Sequence, residues 1–272
     1  MLSSFIIALR EGLEAALIVG ILIAYISKTG KSHLRPFIWG GTAVAIVASI
    51  ALGAILTFTS AELSDTGEEI FAGVTSLVTV AFVTWMVFWM KRTARSLRSD
   101  LTEKMDHAIR TGPLALAGAA FFAVIREGLE TSLFVYSNFK SVADPFNSTV
   151  GLMAGFSLAV SLGYLIYKSS IKLNLSKFFT YTGVGLVIVA TGVLSYGVHE
   201  FQELGVLPGP DAFAWDVTSV MPKDSLLAGI LSGTVGFDTT TSWLQLGLYA
   251  AYLIAVLVPY LSKERTKTLA NA

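Results

Sequence analysis

The feature that most constrains this chain is a series of uninterrupted apolar runs about 20 residues long. At about 1.5 Å of rise per residue, such a run matches a hydrocarbon core of roughly 30 Å. The runs predict helices spanning about 3–27, 36–59, 69–90, 113–138, 149–168, 178–199 and 243–261. They are long and continuous, not short and alternating, which argues for helices and against a strand barrel. The composition agrees: 14% of residues are charged and 54% hydrophobic, with mean hydropathy +0.68, against about a quarter charged in an ordinary soluble domain. The expected fold class is an all-α integral membrane protein with seven transmembrane helices, a single membrane domain over 1–272. The short apolar stretch 224–235 is too short to span, and the sequence leaves it open between an outer helix, a re-entrant element and a loop.

Formal net charge is zero and there is no cysteine. Nothing basic or acidic in bulk points to nucleic acid. Disulfides, zinc–thiolate sites and iron–sulfur clusters are excluded within the chain. The first apolar run has no basic residues before it and carries Arg10, Glu11 and Glu14, so it reads as a retained helix and not a cleaved signal.

Loop charges give an orientation. The connections after the first, third and fifth spans, with the tail, hold fifteen of the 19 basic residues, from Lys28, Lys31 and Arg35 to Lys263, Arg265 and Lys267. The opposite loops hold only Lys140 and Lys223. The positive-inside rule then sets the N-terminus outside and the C-terminus in the cytoplasm, with Trp85 and Trp89 in an interfacial belt at the cytoplasmic end of the third span. The outer loops carry Glu62, Asp65, Glu68 and Glu69, then Glu200, Glu203, Asp211, Asp216, Asp224 and Asp238. Acidic groups at a mouth raise the local cation concentration; the plainer reading is that solvated loops are polar.

The chain repeats itself. Residues 5–20 (FIIALREGLEAALIVG) and 121–136 (FFAVIREGLETSLFVY) share eight of sixteen positions, including the whole block Arg-Glu-Gly-Leu-Glu. The copies fall in the first and fourth spans, so the two helices cross in opposite directions. This predicts a 3+3 inverted repeat, 1–92 against 113–200, with an outer segment and seventh helix in 201–272. Many secondary transporters are built so, with substrate held between the repeats near the midplane.

Charge inside a membrane is costly and by default marks a functional site. At about 100° per residue, Arg10, Glu14 and Glu11 share one helix face, and Gly12 falls on the far side, where a neighbouring helix can approach. Arg10 and Glu14 are one turn apart and can pair. The second copy repeats the pattern with Arg126, Glu127, Gly128 and Glu130. Four glutamates and two arginines sum to −2 if ionised. A divalent ion would neutralise that; a trivalent one would leave +1. Carboxylate oxygens suit hard cations. The alternative is that Arg10–Glu14 and Arg126–Glu130 merely pin helices, which leaves Glu11 and Glu127 without partners. His199 and Glu203, one turn apart beside Glu200, form a second group with usable ligand spacing. Met86 and Met90 read as packing. The spans hold no phosphate loop and no nucleophile–histidine pair, which disfavours an enzyme.

The two Arg-Glu-Gly-Leu-Glu blocks, in the first and fourth of seven spans, resemble the oxidase-dependent iron transporter family, which includes the fungal ferric permease and the permease of the bacterial Efe iron-uptake system. The stretches Glu68-Glu69-Ile70-Phe71-x-Gly73, Trp89-Met90, His199-Glu200-Phe201-Gln202-Glu203-x-Gly205, Trp215-Asp216, Gly229, Gly236-Phe237, Gln245 and Tyr249 are similar to the family's later spans. The fungal acidic outer-loop motif is not evident, and a histidine often found in the last outer segment of bacterial members is replaced near Ser232. The resemblance implies a multi-pass cytoplasmic-membrane permease for Fe3+ or Fe2+. It implies that Glu11, Glu14, Glu127 and Glu130 carry iron, with no tightly bound cofactor. It also implies an extracytoplasmic iron-binding, oxidase or peroxidase-like partner. A carboxylate-based exchanger for manganese, calcium or protons would use similar chemistry.

Overall fold

The structure, a computed structural model, describes residues 2–61, 63–93, 101, 103, 105, 108–141, 145–168, 174–222 and 225–262. Glu62, Lys104, Lys172, Lys223, Asp224, Arg95, Arg98 and the basic tail residues Lys263, Arg265 and Lys267 lie outside them.

The elements are α1 (Leu2–Lys28), α2 (Arg35–Ala61), α3 (Asp65–Thr93), α4 (Pro113–Ser141), α5 (Pro145–Tyr167), α6 (Leu175–Glu203), β1 (Phe213–Asp216), α7 (Leu226–Val235), β2 (Thr240–Ser242) and α8 (Trp243–Leu261). The long helices lie where the apolar runs predict them, within a few residues at each end. Five of them, α2, α3, α5, α6 and α8, are long and apolar enough to cross a membrane. The remaining two, α1 and α4, are of similar length but carry the charges of the repeated block. They are also the helices whose polar groups the others enclose. The peripheral α2 and α5 turn large apolar side chains outward, among them Val47, Ile50, Phe58, Met153 and Val160. Such surfaces suit lipid.

Packing contacts fix the relative directions of the helices. The Ser3 and Ser4 hydroxyls reach the Asn138 Oδ1 at 3.2 and 3.0 Å, which sets the start of α1 beside the end of α4. Phe71 meets Tyr136 edge-on, while Trp89 lies against Arg126, so α3 and α4 are antiparallel. Tyr260 Oη donates to the Phe179 carbonyl at 3.0 Å and Gln245 Nε2 to the Ser195 carbonyl at 3.3 Å, so α6 and α8 are antiparallel. Thr84 and Tyr252 hydroxyls meet at 2.8 Å and Lys91 Nζ reaches the Tyr260 carbonyl, so α3 and α8 are parallel.

The two halves pack by the same rule. Helix α1 lies along α5, and α4 lies along α2. A Cβ on Gly12 would sit 2.9 Å from the Ala159 Cβ, and one on Gly128 would sit 2.8 Å from the Ser49 Cβ. One turn further on, Gly163 faces Ala16 and Gly53 faces Ser132. The glycine inside each copy of the block is therefore where a neighbouring helix crosses closely, as the helical wheel predicts. Small residues at such crossings let helix backbones approach. Among the other helical glycines, Gly41, Gly183 and Gly185 also sit at close contacts, whereas Gly40 faces open space.

Gly41 gives a test of this packing. A Cβ there would lie 2.1 Å from the backbone carbonyl oxygen of Ala117, which no side-chain rotation relieves. Gly41→Ala is expected to destabilise the protein by about 3 kcal/mol, the upper end for overpacking. Gly118→Ala, with nothing within 4 Å, is the neutral control. Thermal denaturation of both in detergent checks this.

The expectation of an all-helical chain needs one addition. β1 and β2 pair antiparallel, Trp215 against Thr241 and Asp216 against Thr240. At four and three residues they are too short to leave an alternating signature. They bracket α7, which the sequence left open. Its N-terminus is capped by Ser225, and its C-terminus ends at Gly236 with φ 66°. Gly236 is pressed on Gly192, where an added Cβ would lie 2.5 Å from the Gly236 Cα. Gly192 is eleven residues from the end of α6, or about 16 Å in from that end. Helix α7 thus descends alongside α6 and also touches α1 and α4.

Candidate metal centre

The repeated block builds the centre of the molecule. Because α1 and α4 are antiparallel and in contact, the charged faces of the two copies meet. Glu11, Glu14 and Glu127 each offer a carboxylate oxygen within 4.8 Å of the others, and all three are buried. Glu130 is 2% exposed and Arg10 1% exposed. The sequence predicts a common face for each triplet; only the helix crossing brings the two faces together.

The arginines are held differently. Arg10 Nη1 donates to Glu11 Oε1 at 3.3 Å, and its Nε lies 3.3 Å from Glu14 Oε1. Glu11 is therefore paired, contrary to the reading in which only Glu14 meets Arg10; a guanidinium presents several donors and spans both carboxylates. Arg126 Nε donates to Glu130 Oε1 at 2.9 Å. Its side chain is 27% exposed against 1% for Arg10. Its guanidinium carbon lies 3.8 Å from the ring centre of Trp89 and 5.0 Å from that of Trp85. These indoles, expected at an interfacial belt, also cover an arginine of the repeated block. Sequence spacing offered no signal for that contact, because it joins α3 to α4.

Several oxygens of the cluster have no hydrogen-bond partner: Glu11 Oε2, Glu127 Oε2 and Glu130 Oε2 are buried and unsatisfied among the described residues. Buried acceptors without donors are costly. Three converging carboxylates from two helices, Glu11, Glu14 and Glu127, form a donor set of the kind a hard cation fills. Met86 and Met90 are 1% and 3% exposed and belong to apolar clusters, so they pack, as expected.

The second group lies elsewhere. His199 Nε2 is 3.1 Å from Glu203 Oε1, and the Glu203 side chain is 52% exposed. With Ser232, Asp238 and Gln245, the residues Tyr196, His199 and Glu200 line a cavity of about 270 Å³ beside the end of α7. The structure does not bring these residues together with the four glutamates of the centre. Asp238 and Ser232 reach the cavity only because α7 folds back along α6. The anchor of that fold is a buried polar chain: Ser242 Oγ donates to Gln202 Oε1 at 2.9 Å, and Ser242 with Gln245 forms a capping box at the start of α8. The pair Ser242-x-x-Gln245 is a readable N-terminal signature that the sequence reading passed over.

Long apolar helices enclosing a duplicated, buried carboxylate cluster define a class: multi-pass α-helical membrane proteins with an intramembrane polar site. Within that class, the chain belongs to the iron permease FTR1 family, whose model matches residues 1–260. It is 32% identical over 274 residues to the ferrous iron permease EfeU of Escherichia coli O6:H1, covering 100% of this chain and 99% of that protein. It is 33% identical over 269 residues to the ferrous iron permease EfeU of Yersinia pestis, covering 98% of this chain and 95% of that one. No solved structure matches it.

Proposed function

We propose that this protein is an iron permease of the cytoplasmic membrane, with seven spans, that carries Fe2+ past Glu11, Glu14, Glu127 and Glu130. The observation that carries the reading is the convergence of Glu11, Glu14 and Glu127, from the two copies of one block, within 4.8 Å in a buried site. Membership of the FTR1 family and the names of the relatives support iron as cargo. The charge arithmetic favours the divalent ion. With all four glutamates ionised and both arginines charged, the cluster stands at −2, which Fe2+ neutralises and Fe3+ overshoots; a closed, charged cluster in lipid is unfavourable.

The interchange of helix contacts between the halves, α1 on α5 and α4 on α2, supports the 3+3 inverted repeat with α8 as the extra helix. The alternating directions of successive helices fit termini on opposite sides, and the loop charges favour the N-terminus outside and the C-terminus in the cytoplasm. On that orientation His199, Glu200 and Glu203 lie on the outer side, where they concentrate cations and pass them inward along α6. The supplying partner is extracytoplasmic, of the iron-binding, oxidase or peroxidase-like kind. The permease needs no cofactor and catalyses no covalent step.

Metal uptake into proteoliposomes tests this reading. Ascorbate-reduced iron is expected to enter faster than ferric citrate, manganese or calcium. Preference for manganese or calcium would assign the chain to the exchanger reading, and preference for ferric citrate would reverse the valence.

A further inference from the structure

The two copies of the block are identical in sequence yet unequal in structure, and the inequality lies in how each arginine is held. Arg10 is enclosed, with Glu11 and Glu14 as its carboxylate partners at 3.3 Å. Drawing those carboxylates away strands a buried guanidinium, which is severely unfavourable. Arg126 has one carboxylate, Glu130, at 2.9 Å, and on its other face an indole at 3.8 Å with a second at 5.0 Å. Its side chain also retains contact with the surroundings, at 27% exposure.

We propose that Trp89, with Trp85 beside it, is a positioning residue for transport: it holds Arg126 when Glu130 leaves that arginine to join Glu11, Glu14 and Glu127 around the cation. This deepens the permease reading and rests on it. Three carboxylates are already within 4.8 Å of one another; Glu130 supplies the fourth by a side-chain rotation, and its free Oε2 is the atom with no bond to break. The indole contact exists before and after, so it favours the loaded state only if it is stronger there. It is. While Glu130 is paired, its negative charge opposes the attraction of the guanidinium for the ring face. Once Glu130 has turned away, the full cation faces the ring, and the cation–π contact strengthens. The indole also keeps Arg126 from following Glu130 toward a cation it would repel. Repeat two therefore gives up its carboxylate first, and repeat one keeps its arginine locked.

The test is Fe2+ binding to the purified protein in detergent, under reducing, oxygen-free conditions, read as Kd. Trp89→Leu is expected to raise Kd roughly tenfold and Trp89→Phe about threefold, since a phenyl face is a weaker cation partner. In an Arg126→Lys background, which keeps the charge but loses the planar stack, Trp89→Leu is expected to add little. Equal weakening in both backgrounds is the mark of a merely structural indole and would overturn the proposal, as would an unchanged Kd. If Trp89→Leu does not fold, the Trp89→Phe and Arg126→Lys pair carries the same cycle. Wild-type binding that Glu14→Gln abolishes but Trp89→Leu and Trp89→Phe leave untouched would sink this inference while the permease stands. No Fe2+ binding by the wild type would overturn the permease reading itself.

Discussion

Glu14→Gln and Glu130→Gln are each expected to lose iron uptake by about a hundredfold or more while the protein remains folded. Even the outer partners of metal ligands cost roughly 10–100-fold when removed, and these two side chains are proposed to contact the cation. Glutamine keeps the shape and one carbonyl oxygen but removes the charge. Glu14 is 1% exposed and Glu130 2% exposed, so bulk solvent does not readily replace the lost oxygen. Each glutamate comes from a different copy of the block, and neither copy alone gathers three carboxylates. The two variants should therefore fail alike. Initial rates of radioactive iron uptake in proteoliposomes, normalised to reconstituted protein, measure this. Normal uptake by either variant would remove that residue from the path.

The second large effect falls on stability. Arg10→Gln is expected to cost about 3–5 kcal/mol, the range for breaking a buried ion pair on one side. It leaves Glu11 and Glu14 facing each other, both buried and both stripped of their cation. Arg126→Gln should cost distinctly less, because Arg126 holds one carboxylate and its side chain is 27% exposed. Thermal denaturation of the two variants in detergent gives the ordering. Equal losses would mean that the enclosure of Arg10 carries no energetic weight. Added Fe2+ should restore part of the lost stability in Arg126→Gln, where all four glutamates remain and ligand binding to the folded state stabilises it.

Much of this molecule is legible in one dimension. The helices follow from apolar run length, since lipid admits only segments whose backbone groups are satisfied internally. The charged face of each block follows from helical periodicity, and the crossing at Gly12 and Gly128 from their position opposite that face. The pairing of Arg126 with Glu130 follows from one-turn spacing. The double pairing of Arg10 does not, because spacing alone cannot say which rotamer a guanidinium adopts between two carboxylates.

The remaining features depend on which helix lies against which. The union of the two acidic faces is a tertiary fact: residues 14 and 127 are distant in the chain and meet only where α1 crosses α4. The indole cover on Arg126 comes from α3, and the polar cavity from the return of α7 along α6. The sequence by itself determined the long helices, the repeated block and the identity of the charged residues, because those obey local periods of turn and span. The tertiary structure alone decided that identical blocks become unequal halves of one buried cluster. The neighbours that enclose Arg10 and those that cover Arg126 come from unrelated segments, and burial, not sequence, sets what each charge costs to move.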